Sequence, residues 1–171
     1  MVVMLKQKQT GFTIVELLIV IVVIGILAAI TIVAYNGIQN RANDTAVQSD
    51  LRQLASKVME QHALTGDYPI ATSPANIPGI PTFTFSKSSY DSSVYNVYYC
   101  TGIISGQREF TVAAASKSGK KFMYRSHGGA GEYTGTWSNS AVICPGVGFT
   151  GGYTHTFGYD YTTTTWNAWA R

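Results

Sequence analysis

Residues 6–30 read KQKQTGFTIVELLIVIVVIGILAAI. Two lysines, Lys6 and Lys8, precede an apolar run that carries a single charge, Glu16. From Phe12 to Ala34 there are 23 residues, dominated by Val, Ile and Leu and free of proline. As a helix this segment is roughly 35 Å long, enough to cross a hydrocarbon core of about 30 Å. The basic residues precede the run and none follows until Arg41. The positive-inside bias therefore puts the N-terminus in the cytoplasm and everything after the run outside. A cleaved secretory signal is the competing reading. The unbroken stretch Leu17–Ile30 falls within the length of a signal core, and Ala28-Ala29 imitates a cleavage site. Glu16 inside the run, and a helical pattern that continues beyond it, favour the span.

The pattern beyond it is amphipathic. Val47, Leu51, Leu54 and Val58 recur at steps of four, three and four, with Asp50, Gln53, Lys57 and Glu60 assigned to the opposite side. Gly66 and Pro69 end the pattern. One helix from about Phe12 to Thr65 is the expectation, with Asn36-Gly37 as its weak point, since glycine costs about 1 kcal/mol in a helix. Two separate helices, one in the membrane and one soluble, are the alternative.

After the helix, Pro69, Pro74, Pro78 and Pro81 mark a loop. Short β-like runs follow at 82–85, 94–100, 109–115, 121–125, 132–137 and 141–145, separated by Gly, Ser and Asn. Helix first and strands after predict an α+β domain, an antiparallel meander packed on the amphipathic half of the helix. The Thr- and aromatic-rich tail, GGYTHTFGYDYTTTTWNAWAR, reads equally as a last strand or a surface loop. The expected division is 1–11, a leader; 12–35, a transmembrane helix; 36–66, its amphipathic continuation; and 67–171, an extracytoplasmic β-rich region. Met1 and Met4 are alternative starts.

A carboxylate in a bilayer costs roughly 2.5–3.5 kcal/mol on insertion scales and normally has a partner. Cleavage between Gly11 and Phe12 would create an amine about one helical turn from Glu16, within a chain or between chains. A short basic leader ending in glycine, then Phe, Thr, an aliphatic pair, Glu and Leu-rich hydrophobics, resembles the prepilin signature of type IV pilins and type II secretion pseudopilins. The resemblance is close over residues 6 to about 35 and only architectural after the helix. It implies cleavage after Gly11 by a membrane-embedded aspartyl prepilin peptidase and N-methylation of Phe12. It also implies pairing of Glu16 with the N-terminal amine of an adjacent subunit. The subunit would wait in the membrane lipid, meet an inner-membrane assembly platform, and join identical or related pilins in a filament. Its helices would form the filament core and its α+β domains the surface. Such subunits are not themselves enzymes and carry no cofactor. Many pilins place a proline eight positions beyond the glycine found here as Gly25; this chain has Val33, so no proline kink is expected. Gly25 and Ala29 form a small-xxx-small pair of the kind that lets helices approach closely, and lipid-facing sequence is the equal alternative. A pseudopilin of a secretion or competence system, and a membrane-anchored extracellular binding domain, are the other functional readings.

Cys100 and Cys144 are the only cysteines, both in the segment expected outside the membrane, where a disulfide is favoured over two buried thiols or a shared metal site. No paired histidine spacing suggests zinc. His62, His127 and His155 sit in no recognisable catalytic pattern, and Asp160 alone makes no calcium site. Lys117, Lys120, Lys121 and Arg125 cluster around a Ser118-Gly119 turn and offer a weak contact for DNA or a surface polymer. Trp166 and Trp169 read as core packing before they read as an adhesive surface. The net charge of +3 does not argue for nucleic acid.

Overall fold

The computed structural model describes residues 11–71 and 76–170. The leader expected at 1–11, apart from Gly11, therefore lies outside the described residues, as does Pro74. The chain divides into two compact units, Met1–Gln39 and Asn40–Arg171.

Helix α1 runs Ile14–Thr65, with Asn36-Gly37 helical. It stops at Gly66, whose φ of 81° takes the left-handed cap conformation and whose N–H bonds His62 O at 2.8 Å. In the first unit α1 is apolar on every side and its side chains are exposed, from Ile14 at 85% to Val33 at 74%. Thr31, the one hydroxyl among these apolar side chains after the first turn, donates back to Leu27 O and Ala28 O and so satisfies itself without water.

In the second unit Val47, Leu51, Leu54, Ala55 and Val58 are buried. Each Val or Leu so buried contributes about 1.5–3 kcal/mol. They pack on one face of a six-stranded antiparallel sheet: β1 Asn96–Ile104, β2 Gln107–Ala115, β3 Lys121–Arg125, β4 Gly129–Glu132, β5 Thr154–Asp160 and β6 Thr165–Trp166. The order is β4-β3-β2-β1-β5-β6. The expected meander therefore holds for the first four strands. The tail then returns to the far side of β1 as β5 and β6, so it supplies strands rather than a surface loop.

The alternation of β1 explains the unbroken burial of residues 96–102, beyond which Ile103 is exposed. Val97 and Tyr99 face α1, while Tyr98 and Cys100 face a second core with Tyr133, Ile143, Val147 and Phe149. Both faces are covered, so no position needs to be polar. The Asn96 side chain extends the ladder by donating to Ala115 O and accepting from Ala115 N, each at 2.8 Å.

Four expectations are corrected. Residues 82–85 form no strand: Phe83 and Phe85 insert into the core, with a bridge from Phe83 to Ala170 and a 3₁₀ turn at Lys87–Ser89 after them. Residues 141–145 are not β but lie in helix α2, Ser140–Gly146, which Asn139 O opens by accepting from Val142 and Ile143. Burial of Ile143 and Cys144 against β1 outweighs the β preference of Val142 and Ile143. Only Glu132 of the run 132–137 is in a strand; Tyr133 and Trp137 turn into the second core. Asp50 is 5% exposed, not on the polar side. It accepts from Ser86 N at 2.7 Å and Tyr90 Oη at 3.0 Å and ties the 83–90 segment to α1. Burial, with the Asp50 carboxylate beside it, pushes the Tyr90 hydroxyl's pKa well up.

Candidate functional site

The start of α1 is where the sequence concentrates its chemistry. Thr13 is the residue before the first helical position and Glu16 is the third position inside. Thr13 N donates to Glu16 Oε2 at 2.9 Å, and Glu16 N donates to Thr13 Oγ1 at 3.2 Å. This reciprocal pair is a capping box, which satisfies two of the backbone donors that a helix start leaves open. Thr13 Oγ1 also donates to Glu16 Oε2 at 2.8 Å. All of the side-chain bonds received by Glu16 from Thr13 fall on Oε2. The positive end of the helix dipole lies at the same point and favours a carboxylate there. Phe12, just outside the cap, is 87% exposed.

The structure thus gives Glu16 a role within its own chain. Thr13 is its partner there. The Thr-x-x-Glu spacing that opens an apolar run is a readable signal for it.

Gly25 and Ala29 lie one turn apart on the exposed apolar half, and a Cβ built at Gly25 would meet nothing within 4 Å. The helix is long and apolar enough to cross a membrane, and none of its most apolar window is buried.

Cys100 and Cys144 are bonded, with Cα atoms 5.7 Å apart, and join β1 to α2. Closing a loop of 44 positions restricts the unfolded chain by about 4 kcal/mol in the entropy picture.

The other singled-out residues disperse. His62 stacks on Tyr68 at 4.2 Å between ring centres. His127 Nδ1 lies 2.6 Å from Glu109 Oε1, while the Ser126 hydroxyl donates to Glu109 Oε2. The carboxylate stands between hydroxyl and imidazole, so this is no relay from one to the other. His155 is half-buried, which pulls its ring's pKa down. Asp160 accepts from Thr162 N and Oγ1 and shapes the turn between β5 and β6; those bonds hold its carboxyl below the usual range. The basic cluster divides, because a strand advances about 3.3 Å per residue. Lys117 and Lys120 stay at the β2–β3 turn, whereas Arg125 ends β3 opposite Thr111. Trp169 is buried in the first core, and Trp166 packs on Phe85 and Tyr159 with Lys87 Nζ 5.4 Å above its ring.

A family model described as Prokaryotic N-terminal methylation motif matches residues 6–32. Fimbrial protein EcpC of Eikenella corrodens is 30% identical over 138 residues, which cover 81% of this chain and 88% of that protein. The chain belongs to the type IV pilin family. No solved structure matches this pilin. As a pilin it is a structural subunit that assembles with related subunits in a filament, and its apolar helix fits a protein first anchored in a membrane and then carried on a surface fibre.

Proposed function

We propose that this pilin is cut after Gly11, exposing Phe12 as a new N-terminus that is then methylated. The mature subunit polymerises through the exposed half of α1. In the filament, Glu16 keeps its Thr13 bonds on Oε2 and turns Oε1 to the N-terminal ammonium of a neighbouring subunit. Both charges then leave water together, and each removes the other's desolvation cost. Before assembly the helix crosses the cytoplasmic membrane, with residues 1–11 inside and the Asn40–Arg171 unit outside. Gly25 and Ala29 give neighbouring helices a place of close approach. A prepilin peptidase and an inner-membrane assembly platform are the partners this route requires.

The observation that carries this reading is the apolar half of α1. Among the described residues its side chains are exposed on every side, and its single carboxylate is held at the first turn. A fimbrial relative favours a surface pilus over the short fibre of a secretion pseudopilin. Adhesion, motility and DNA uptake are the tasks open to such a fibre.

The test is fractionation. Shearing cells that express the chain should release it in filaments, and loss of the prepilin peptidase should leave it in the membrane with nothing in the sheared fraction. Release of free monomer, or membrane retention in both strains, would contradict assembly.

A further inference from the structure

Four basic residues, Arg41, Lys117, Lys120 and Lys121, gather at one place in the Asn40–Arg171 unit. The β2–β3 turn is fixed by Ser116 N donating to Lys120 O at 2.7 Å, by Lys117 N donating to Ser89 O at 2.8 Å, and by Gly119 at φ 91°. The turn is tied to α1, because the Ser118 hydroxyl donates to the Asp44 carboxylate. Arg41 precedes Asp44 by three positions and so shares its helix face. Arg41, Lys117 and Lys120 are exposed, and Lys121 is half-buried. Two acids beside the patch keep their charge, Asp44, which accepts from Ser118, and Asp91, which accepts from Ser93 N and Oγ, and the four basic residues outnumber them.

Chain connectivity decides what this patch can reach. The exposed apolar residues of α1 run to Ile38, which is 68% exposed. Arg41 is three positions beyond it and Asp44 six. Even a fully extended chain holds Arg41 within about 10 Å of Ile38 and Asp44 within about 20 Å.

We propose that Arg41, Lys117 and Lys120 bind anionic phospholipid headgroups of the leaflet from which the apolar helix emerges. The inference rests on the reading of 12–34 as a membrane span, whose outer end lies at headgroup depth. Each basic side chain at an anionic surface gains about five-fold in binding, and the attraction fades within a Debye length of about 8 Å. Three such contacts hold the unassembled subunit against the bilayer, and polymerisation must release them as the helix leaves the lipid.

The experiment uses the full chain in lipid nanodiscs, one set of phosphatidylcholine and one half phosphatidylglycerol. The rate of acylation by an amine reagent is read at each lysine by mass spectrometry. Lys117 and Lys120 should react about five-fold more slowly in the anionic discs. High salt should erase the difference, and Lys57, farther along α1, should react alike in both. Hydrogen exchange of amides 17–34 is measured in the same samples. Equal rates at Lys117 and Lys120 in both lipids, with those amides protected, would overturn the headgroup contact alone. Unprotected amides would overturn the span and the contact together.

Discussion

Glu16 Oε2 accepts both the backbone N–H and the hydroxyl of Thr13. One carboxylate therefore caps its own helix through a single oxygen, and the proposed assembly contact uses the other. The two roles separate by substitution. Thr13→Ala removes the cap hydroxyl and costs about 1 kcal/mol at the helix start. Glu16→Gln keeps an N3 side chain able to cap but removes the charge. The account predicts near-normal filaments from Thr13→Ala and few or none from Glu16→Gln and Glu16→Ala, with all three inserted normally in the membrane. Equal filament yields from Thr13→Ala and Glu16→Gln, scored by electron microscopy of sheared fractions, would reduce Glu16 to a cap.

The Cys100–Cys144 bond joins β1, one of the two central strands of the sheet, to α2, and α2 forms one side of the second core. Replacing both cysteines by serine should cost about 4 kcal/mol. In a chain of this size that lowers the unfolding midpoint by roughly 10 °C. Thermal scans with and without reductant test it: the reductant should shift the native chain and leave the double serine variant unmoved.

Asp50 and Tyr90 form a buried pair 40 positions apart, bonded at 3.0 Å. Tyr90→Phe leaves a nearly buried carboxylate short of one donor and should cost about 1–3 kcal/mol. Asp50→Asn should weaken the same bond, so the two losses should not add. A double-mutant cycle by urea unfolding measures the coupling, expected at about 0.5–3 kcal/mol. Strict additivity would mean that the pair contributes nothing of its own.

Burial raises the pKa of the Tyr90, Tyr98 and Tyr99 hydroxyls above the ordinary value of 10.0. A group raised on folding contributes stability that is fully present below its unfolded value and lost as pH climbs towards its folded one. Stability should therefore be flat with respect to these tyrosines up to about pH 10 and fall beyond it. Tyr90→Phe should make the alkaline fall shallower. An unchanged slope in denaturant midpoints across that range would remove Tyr90 from the explanation.

The sequence disclosed long-period features more readily than contacts. A 23-residue, largely apolar run and the 47-51-54-58 spacing identify α1 because they repeat a single geometric rule. For Asp50 charge and position point to opposite faces, and position prevails. It lies three beyond Val47 and four before Leu54, on the face that packs, and its donors Ser86 and Tyr90 are 36 and 40 positions away. No local pattern reports such partners. Residues 141–145 were misread for the same reason: Val142 and Ile143 prefer strands, but the position of Cys144 is decided by Cys100 on another element. The tail is undecidable from local pattern because β1, the partner of β5, lies about 60 residues back in the chain, and β6 pairs with β5 in turn. At the candidate site, Glu16 stood out as a lone charge. Its capping partner Thr13 was legible in the Thr-x-x-Glu spacing and was passed over because threonine beside an apolar run draws no attention by composition.

The central claim is that Glu16 meets a real N-terminal amine. Intact mass and N-terminal sequencing of the protein from its native membrane test it most directly. The account predicts a chain beginning at Phe12 with one added methyl group. A chain that still carries Lys6 and Lys8 would have no amine beside Glu16, and would contradict assembly through that pair.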